Sequence, residues 1–211
     1  MPNLTDTLDL AGYPVYKNLA VPSGDLSAEP DEVEALILTA KGIFVLESVD
    51  RAGWIFGRAG QRQWTDSLAK DRRERFENPV RENRARVRAF ATYLGLSASA
   101  FRSYIVFADS CVLKEVPANT SEYCICQRPG LRSRLAADLL AREAVFSAER
   151  LGRLKARLDG LAAASPEEVR EALRSCPLCG KPLVERQRKS DGSAFIGCSG
   201  YPSCRYTRAS W

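Results

Sequence analysis

The chain has 211 residues, of which 45% are hydrophobic and 27% are charged, and its formal net charge is +5. This length accommodates one domain of about 150–170 residues and one much smaller unit. Histidine is absent, which excludes Ser-His-Asp triads and every mechanism in which an imidazole is the general acid or base. No run of eighteen apolar residues and no signal-peptide pattern is present, so we expect a cytoplasmic protein without a membrane partner.

Two β-rich runs at 33–39 and 42–49 predict a β-hairpin, and a third strand-like run follows at 54–56. Pairing of the two strands through their short turn places Glu34 directly opposite Glu47. Opposed residues have Cβ atoms about 5 Å apart, so two carboxylates there destabilise the hairpin unless a cation neutralises them. Mg²⁺ or Mn²⁺ would do so, because both prefer oxygen ligands. The alternative is that both side chains lie on a solvated face or at strand ends.

An α-helix is predicted to begin after Asn78, with Asn78 as the N-cap and Pro79 at the first helical position. Gly95 ends this helix. Its apolar residues recur at helical spacing and are Val80, Val87, Phe90 and Leu94. The arginines between 81 and 88 lie on the other side, where a solvated face is favoured over a role in tracking phosphates. A strand at 104–107 follows, which gives the alternation expected of an α/β sheet.

The order of these motifs resembles the nuclease-related domain, a family assigned to the PD-(D/E)xK nucleases. The resemblance runs from about residue 19 to 107, and its segments are the hairpin, the Gly-Trp-Ile-Phe-Gly run at 53–57, Trp64 and the Asn-Pro-Val-Arg-Glu-Asn run at 78–83. It implies a restriction-endonuclease-like α/β core. In that core an acid on the first hairpin strand and a Glu-x-Lys on the second bind Mg²⁺ and activate water for phosphodiester cleavage. Glu34 and Glu47 are therefore the candidate catalytic residues.

The chain departs from the family pattern at several positions. Glu34 replaces an aspartate, which moves the carboxylate by one methylene. Val49 replaces the lysine, and an apolar side chain can neither hold the attacking water nor stabilise developing charge. The N-terminal helix, which in the family carries a further Gly-Glu, is missing or truncated here. For catalysis, Lys41 or Lys70 would have to take the place of the missing lysine from another position in the chain. We therefore expect weak or absent nuclease activity.

Three cysteines lie in the middle of the chain, namely Cys111, Cys124 and Cys126. In a reducing compartment these are most simply buried free thiols. Cys124 and Cys126 alternate along a strand-like run, so their side chains point to the same face. Core packing is favoured there over a second metal site.

Residues 129–174 are rich in leucine, alanine and arginine and predict a helical extension. A leucine stripe from Leu151 to Leu161 has helical spacing, which predicts packing against the sheet. The Ser-Pro-Glu-Glu run at 165–168 restarts a helix with a cap, a first-position proline and acids near the positive helix end.

Four cysteines near the C-terminus form two closely spaced pairs, Cys176 with Cys179 and Cys198 with Cys204, and eighteen residues separate the pairs. Four thiolates are the ligand set of a structural, tetrahedral zinc site. A segment of about 40 residues buries too little apolar surface to fold unaided, so bound metal would supply the missing folding free energy. Structural Zn²⁺ is favoured over a disulfide pair, a redox dithiol or coincidental pairs.

The Cys-Pro-x-Cys-Gly turn, the Phe-Ile-Gly strand at 195–197 and the Cys-Ser-Gly-Tyr-Pro-x-Cys turn resemble the C-terminal zinc ribbon of bacterial type IA DNA topoisomerases. The resemblance covers most of residues 174–208. It implies that the segment binds DNA, chiefly single-stranded. The strand-passage core of those enzymes has no room in this chain, so we expect no topoisomerase activity.

The charge pattern agrees with a nucleic-acid partner. Residues 171–211 hold seven Lys/Arg and three acids, which places +4 of the formal +5 in this segment. Basic side chains contact phosphates, and aromatic rings stack on unpaired bases at about 1–3 kcal/mol per base. The aromatic residues could instead fill the small core of the ribbon, an alternative that suits Phe195 best. The candidate nucleic-acid-binding residues are Arg186, Arg188, Lys189, Tyr201, Arg205, Tyr206 and Arg208.

These motifs predict an α/β chain in three parts: a nuclease-related domain at 1–128, a helical extension and linker at 129–174, and a zinc ribbon at 175–211. The leading hypothesis is a nucleic-acid-binding protein of DNA processing or repair with a degenerate, metal-dependent phosphodiesterase site. The alternative is a DNA-binding or scaffolding module without cleavage activity. In a third hypothesis the ribbon binds protein and the chain does not touch DNA.

Overall fold

The computed structural model describes residues 4–8, 10–22, 31–69, 72–176 and 178–209. These residues form two compact units. The first comprises the described residues of 4–21 and 32–162, and the second comprises those from 163 onward together with Pro22 and Asp31. The predicted helical extension is divided between the two units, and the domain boundaries at 128 and 174 stay predictions.

The first unit contains nine strands and three α-helices in its described part. In chain order they are β1 (Val15–Ala20), β2 (Glu32–Thr39), β3 (Gly42–Val49), β4 (Gly53–Phe56), β5 (Gln63–Ala69), β6 (Arg72–Glu77), α1 (Pro79–Leu94), β7 (Phe101–Phe107), β8 (Cys111–Glu115), β9 (Tyr123–Gln127), α2 (Arg128–Ala141) and α3 (Ala148–Ala163). Short 3₁₀ helices lie at Leu4–Thr7 and Ala98–Ala100. The predicted α/β class is confirmed.

A five-stranded mixed sheet in the order β1-β2-β3-β7-β9 forms the centre of this unit. The first two pairings are antiparallel, and β3–β7 and β7–β9 are parallel. In the predicted hairpin, Thr39 pairs with Gly42 and Ala35 with Leu46. This is the predicted register, and its next position holds Glu34 and Glu47.

A second sheet, in the order β6-β5-β4-β8, contains the predicted third strand. That strand, β4, does not extend the hairpin, because the chain leaves the central sheet after β3. Gly53 begins β4 with a φ of 77°, and a Cβ at this position would lie 2.3 Å from the carbonyl oxygen of Ser67. Only glycine permits this close approach of β4 to β5.

The core lies on both faces of the central sheet. Ala35, Phe44 and Tyr104 belong to a cluster with Leu131 and Leu135 of α2 on one face. Residues Ile105 and Phe107 of β7 belong to a cluster with the second sheet, and that cluster includes Ile55, Trp64, Phe76 and Val80. Because both faces of the sheet are buried, β2 and β3 contain uninterrupted apolar runs. A strand with one solvent-exposed face would instead alternate apolar and polar residues.

Helix α1 has the predicted bounds. The Asn78 side chain accepts a hydrogen bond of 3.0 Å from the Val80 N–H, and Gly95 caps the other end with a φ of 65°. The predicted apolar stripe of Val80, Val87, Phe90 and Leu94 is buried. The helix thus begins and ends where local capping chemistry dictates.

The arginine side of α1 differs from the predicted solvated face. Arg81 and Arg88 are exposed, but Arg84 and Arg86 are half-buried. Arg84 donates two hydrogen bonds, of 2.6 and 2.8 Å, to Glu122, and this pairing lowers the pKa of the Glu122 carboxyl. Arg86 contacts Glu47, as described below.

The three cysteines of the first unit are buried, with exposed fractions of 1% for Cys111, 2% for Cys124 and 3% for Cys126. Cys124 and Cys126 lie together in the core cluster beneath α2. Their predicted role in core packing is confirmed.

Helix α3 buries three leucines of the predicted stripe, Leu154, Leu158 and Leu161, and leaves Leu151 half-buried. Its polar side contacts β1, where the Tyr16 hydroxyl donates a hydrogen bond of 2.8 Å to Asp159. A bond of 3.2 Å from Arg150 to the Gly95 carbonyl ties α3 to the end of α1. The helical extension is therefore part of the first unit up to this helix.

The second unit contains α4 (Pro166–Arg174) and an antiparallel three-stranded sheet of β10 (Leu183–Gln187), β11 (Ala194–Cys198) and β12 (Thr207–Ala209). The predicted capping box is present, because Ser165 and Glu168 exchange hydrogen bonds of 2.7 and 3.2 Å. None of the helices in the described residues is both long enough and apolar enough to cross a membrane.

Candidate metal centre and carboxylate pair

The four C-terminal cysteines bring their sulfur atoms together in the second unit. All four Sγ atoms lie within 4.8 Å of one another. The Sγ atoms of Cys176 and Cys204 are 3.6 Å apart, and those of Cys179 and Cys198 are 3.4 Å apart. A tetrahedron with Zn–S bonds of about 2.3 Å has S···S edges of about 3.8 Å. The four side chains therefore fit a tetrahedral thiophilic ion such as Zn²⁺.

Tight turns hold each cysteine pair. In the first turn the Gly180 N–H donates a bond of 2.8 Å to the Cys176 carbonyl, and in the second the Cys204 N–H donates one of 3.0 Å to the Gly200 carbonyl. The Gly200 N–H also points at the Cys198 Sγ, 3.2 Å away. Such N–H donors stabilise negative charge on the sulfur atoms.

The protonation of the thiols depends on the same turns. Burial opposes ionisation of Cys176, but the backbone N–H groups of Leu178 and Cys179 outweigh it and bring the pKa of this thiol to about 7. Burial, reinforced by the neighbouring thiols, raises the pKa of Cys198 to about 12. A coordinated cation removes such protons, so protons and metal compete for the same sulfur atoms.

A cleft of about 410 Å³ lies on the ribbon and brings four of the predicted nucleic-acid-binding residues together, namely Arg186, Tyr201, Arg205 and Tyr206. Tyr201 is 62% exposed, and the Arg186 guanidinium lies 5.9 Å from the centre of its ring. A flat aromatic face beside a cation is the arrangement on which an unpaired base can stack.

The remaining predicted residues lie elsewhere. Arg188 is placed over the ring of Phe195, at 5.9 Å, and Lys189 is exposed in the turn after β10. Phe195 is half-buried and itself lines the ribbon cleft, so the alternative that it fills the core stays a prediction. The backbone of Arg208 lies in β12 opposite Ile196, but its side chain is outside the described part of the structure.

The carboxylate pair of the hairpin is engaged by protein donors. Glu34 accepts backbone N–H bonds from Leu4, at 3.0 Å, and from Ser48, at 3.1 Å. Glu47 accepts one from the Glu34 N–H at 3.2 Å, and its second oxygen lies 3.6 Å from the Arg86 guanidinium. The Glu47 and Arg86 side chains are only 13% and 19% exposed. Three backbone N–H groups and one guanidinium thus stabilise the two opposed carboxylates.

The cleft beside Glu47, of about 590 Å³, contains no lysine among its lining residues and is lined by Val49 at the family's lysine position. Lys41 does not replace it, because its ammonium group at the hairpin turn bonds to the carbonyls of Leu139 and Leu140, at 2.6 and 3.1 Å. Lys70 lies outside the described residues.

The carboxylate pair does not belong to a larger group of candidate metal ligands. Within the described residues, groups of three or more Cys, Asp or Glu ligands close enough to share an ion are confined to the four cysteines. Glu34 and Glu47 alone would offer two ligands, and their oxygens already face N–H donors. A Mg²⁺ or Mn²⁺ ion held by this pair would need waters or further oxygen ligands to complete its shell.

Residues 3–108, half of the chain, match the family model described as nuclease-related domain. The chain belongs to the nuclease-related domain family. Residues 173–210 match the model described as topoisomerase DNA-binding C4 zinc finger. Both resemblances predicted from the motifs are confirmed.

The relatives of this nuclease-related protein are of two kinds. An uncharacterised Bacillus anthracis protein is 26% identical over 117 residues, which cover 54% of this chain and 52% of that protein. DNA topoisomerase 1 of Archaeoglobus fulgidus is 59% identical over 32 residues, and that of Methanocaldococcus jannaschii is 50% identical over 40 residues. These matches cover 15% and 19% of this chain but only 5% of each topoisomerase. No solved structure matches the chain.

Sequence reasoning missed Arg86 as a partner of the carboxylate pair in this family member. A signal was present, since Arg86 is three residues after the buried Asn83 and four before the buried Phe90, at the edge of the apolar stripe. From that position the long Arg86 side chain reaches Glu47.

The cysteine cluster predicts pH-dependent metal binding. We expect one Zn²⁺ per chain, with an affinity at least tenfold weaker at pH 6 than at pH 7.5, because protons compete for the four thiolates. Competition with a chromophoric chelator at both pH values measures this. Cys204→Ser should lose the ion, whereas Cys111→Ala, which removes a buried core thiol, should keep it. Equal zinc content in both variants would refute the site.

The Arg86–Glu47 pair predicts coupled losses of stability. Arg86→Ala should lower the free energy of unfolding by roughly 1–3 kcal/mol, between the values of exposed and buried ion pairs, because Glu47 loses its cation. A double-mutant cycle with Glu47→Ala in urea unfolding isolates the pairwise energy. The exposed Arg88→Ala on the same helix should cost less than about 0.5 kcal/mol. Additive losses at positions 47 and 86 would contradict the pairing.

Proposed function

We propose that this protein binds DNA, chiefly single-stranded, through its zinc ribbon, and that its nuclease-related domain acts in DNA processing or repair as a binding or scaffolding module without cleavage. A cytoplasmic location suits this role. The observation that carries the proposal is the ribbon cleft, in which exposed Tyr201 lies among arginines next to a complete set of four cysteines.

The chemistry of the ribbon supports DNA over a protein partner. The segment holds +4 of the formal charge, and four thiolates around one Zn²⁺ would leave about +2 with the guanidinium groups directed outward. An exposed tyrosine can stack only on a base that is free of its duplex partner, which favours single strands. The matching family model is described as DNA-binding, and the relatives that match this segment are DNA topoisomerases, which agrees with this assignment.

For the first unit we propose the restriction-endonuclease-like core of the PD-(D/E)xK nucleases. The β2–β3 hairpin, helix α1 and the parallel strand β7 follow one another in the order that this core requires. Its chemistry is degenerate, since Val49 replaces the lysine and Arg86 with backbone N–H groups engages the acids. The residues that remain support a surface for binding, not a hydrolytic site.

DNA binding by the ribbon is tested with a fluorescein-labelled oligothymidylate and fluorescence anisotropy across a salt series. Replacing Arg188 and Lys189 together with alanine should weaken binding and lower the slope of log K against log salt by about 1.4, the value for two lost phosphate contacts on a single strand. Replacing Arg132 and Arg153 on α2 and α3 removes the same charge and should leave the slope unchanged. Equal slopes in the two double variants, or full affinity after removal of residues 175–211, would overturn the proposal.

Absence of cleavage is tested with single- and double-stranded DNA in the presence of Mg²⁺ or Mn²⁺. The wild-type chain should leave both substrates intact, and Val49→Lys alone should not create activity because the carboxylates stay engaged. Cleavage by the wild type that Glu47→Ala abolishes would instead establish a metal-dependent nuclease with Mg²⁺ or Mn²⁺ at Glu34 and Glu47. DNA binding by the ribbon would stand in either case.

A further inference from the structure

The nuclease-related domain has a surface of aromatic and basic side chains that contains no residue of the ribbon. It is the face of the β6-β5-β4-β8 sheet that points away from the core. Ile55 of β4 and Phe76 of β6 point into the core. Because side chains alternate along a strand, their neighbours Trp54, Phe56 and Arg75 point outward. We call this the outer face; its residues are Trp54, Phe56, Thr65, Ser67, Arg73, Arg75, Val112 and Lys114.

Strand register arranges the outer face in two parallel rows. Trp54 pairs with Ser67, which pairs with Arg73, and Phe56 pairs with Thr65, which pairs with Arg75. Each row therefore runs from an aromatic residue on β4, over a hydroxyl on β5, to an arginine on β6. Neighbouring strands are about 4.8 Å apart, so ring and guanidinium start about 10 Å apart, and the two rows are about 7 Å apart.

Trp54 and the two arginines of the rows are accessible, and Phe56 is half-buried. Trp54 is 52% exposed, although the Lys114 ammonium lies 4.7 Å from the centre of its ring. Arg73 and Arg75 are exposed, and neither forms an ion pair or a side-chain hydrogen bond with another described residue. Their neighbour Arg72 is different, since it pairs with Glu74 at 2.9 Å.

We propose that the outer face binds a second stretch of single-stranded nucleic acid. One base stacks on Trp54 and the next on Phe56, while their phosphates lie at Arg73 and Arg75. A row spacing of about 7 Å is twice the rise of about 3.4 Å per nucleotide in a stacked strand, so the bound strand is extended with one base per ring. The hydroxyls of Ser67 and Thr65 lie between base and phosphate, where the sugar passes.

The charge of the face selects a polyanion over a protein surface. Arg73, Arg75 and Lys114 outnumber the two acids, which are Glu77 at the end of β6 and Glu115, the partner of Phe56 on β8. Glu77 also has partners, since it accepts a hydrogen bond of 2.9 Å from Gln63. An apolar partner would leave two unpaired guanidinium groups desolvated, which is costly.

The second row connects the outer face with the cleft at Glu47, because Arg75 also lines that cleft. A strand that leaves Phe56 along this row borders the former nuclease site. The inference rests on the proposed function, in that it takes DNA as the ligand, but it uses residues that the ribbon does not contain. It gives the domain without cleavage activity a defined task, which is to hold an extended single strand.

The test uses the full chain and a fluorescein-labelled oligothymidylate long enough to reach both sites. Trp54→Ala should weaken binding about 5-fold to 160-fold, the range for loss of one stacked base. The Arg73→Ala/Arg75→Ala variant should weaken it and lower the salt slope by about 1.4. Leu140→Ala, which removes an 83% exposed leucine from α2, and the Arg132→Ala/Arg153→Ala variant are the matched controls and should bind like the wild type.

Cross-linking separates this inference from the function of the ribbon. An oligonucleotide with 5-iodouracil should cross-link at Trp54 or Phe56, identified by mass spectrometry. Cross-links confined to the ribbon, together with unchanged affinity of Trp54→Ala, would overturn the outer face and leave the ribbon proposal intact. Cross-links at Trp54 with no effect of Arg188→Ala/Lys189→Ala would support the outer face and refute the ribbon. A wild-type dimer that Trp54→Ala makes monomeric, without a change in DNA binding, would identify a protein interface and overturn the inference.

Discussion

The pairing of β2 with β3 is the constraint on which the nuclease-related domain depends. Both strands are buried on both faces, so their register cannot slip without exposing apolar side chains that α2 and the second sheet now cover. The same register brings Glu34 next to Glu47 at the edge of the core. Two carboxylates in this position require compensation, and three N–H donors and the Arg86 guanidinium provide it.

This compensation gives the two acids a part in the stability of the domain. A metal-dependent nuclease leaves its acids open to a cation, and a lysine beside them orients water. Here Val49 packs against the core cluster of the second sheet, and the acids hold the N-terminal segment and α1 in place through Leu4 and Arg86. The two acidic residues thus have a structural role, and retention of their residue types does not imply retention of the reaction.

The ribbon depends on a different principle. Its strands bury few side chains, and Val184 and Tyr201 are 38% and 62% exposed. Four sulfur atoms within 4.8 Å of one another replace the missing apolar core. The aromatic and basic residues around this cluster lie at the surface, where Tyr201 and Arg186 line the ribbon cleft. A small unit of this kind can offer a nucleic-acid-binding cleft that a domain with an ordinary core would have to cover.

Much of this could be predicted from the sequence, because the deciding chemistry is local. Cysteine spacing identifies the four-sulfur cluster, Asn78-Pro79 and Gly95 bound α1, and the apolar runs on either side of the Thr39–Gly42 turn give the hairpin and its register. Each of these features depends on residues close together in the chain. The placement of β4 in a second sheet was not foreseen, since it depends on close packing of Gly53 against β5.

By itself, then, the sequence determined the family, the four clustered cysteines and the opposed acids. Only the tertiary structure decided what those acids contact, because Leu4 and Arg86 lie 30 and 39 positions from them along the chain. It also decided the outer face, where the two aromatic–arginine rows come from three strands joined by turns of unrelated length. Long-range strand pairing brings such residues together, and no local pattern records it.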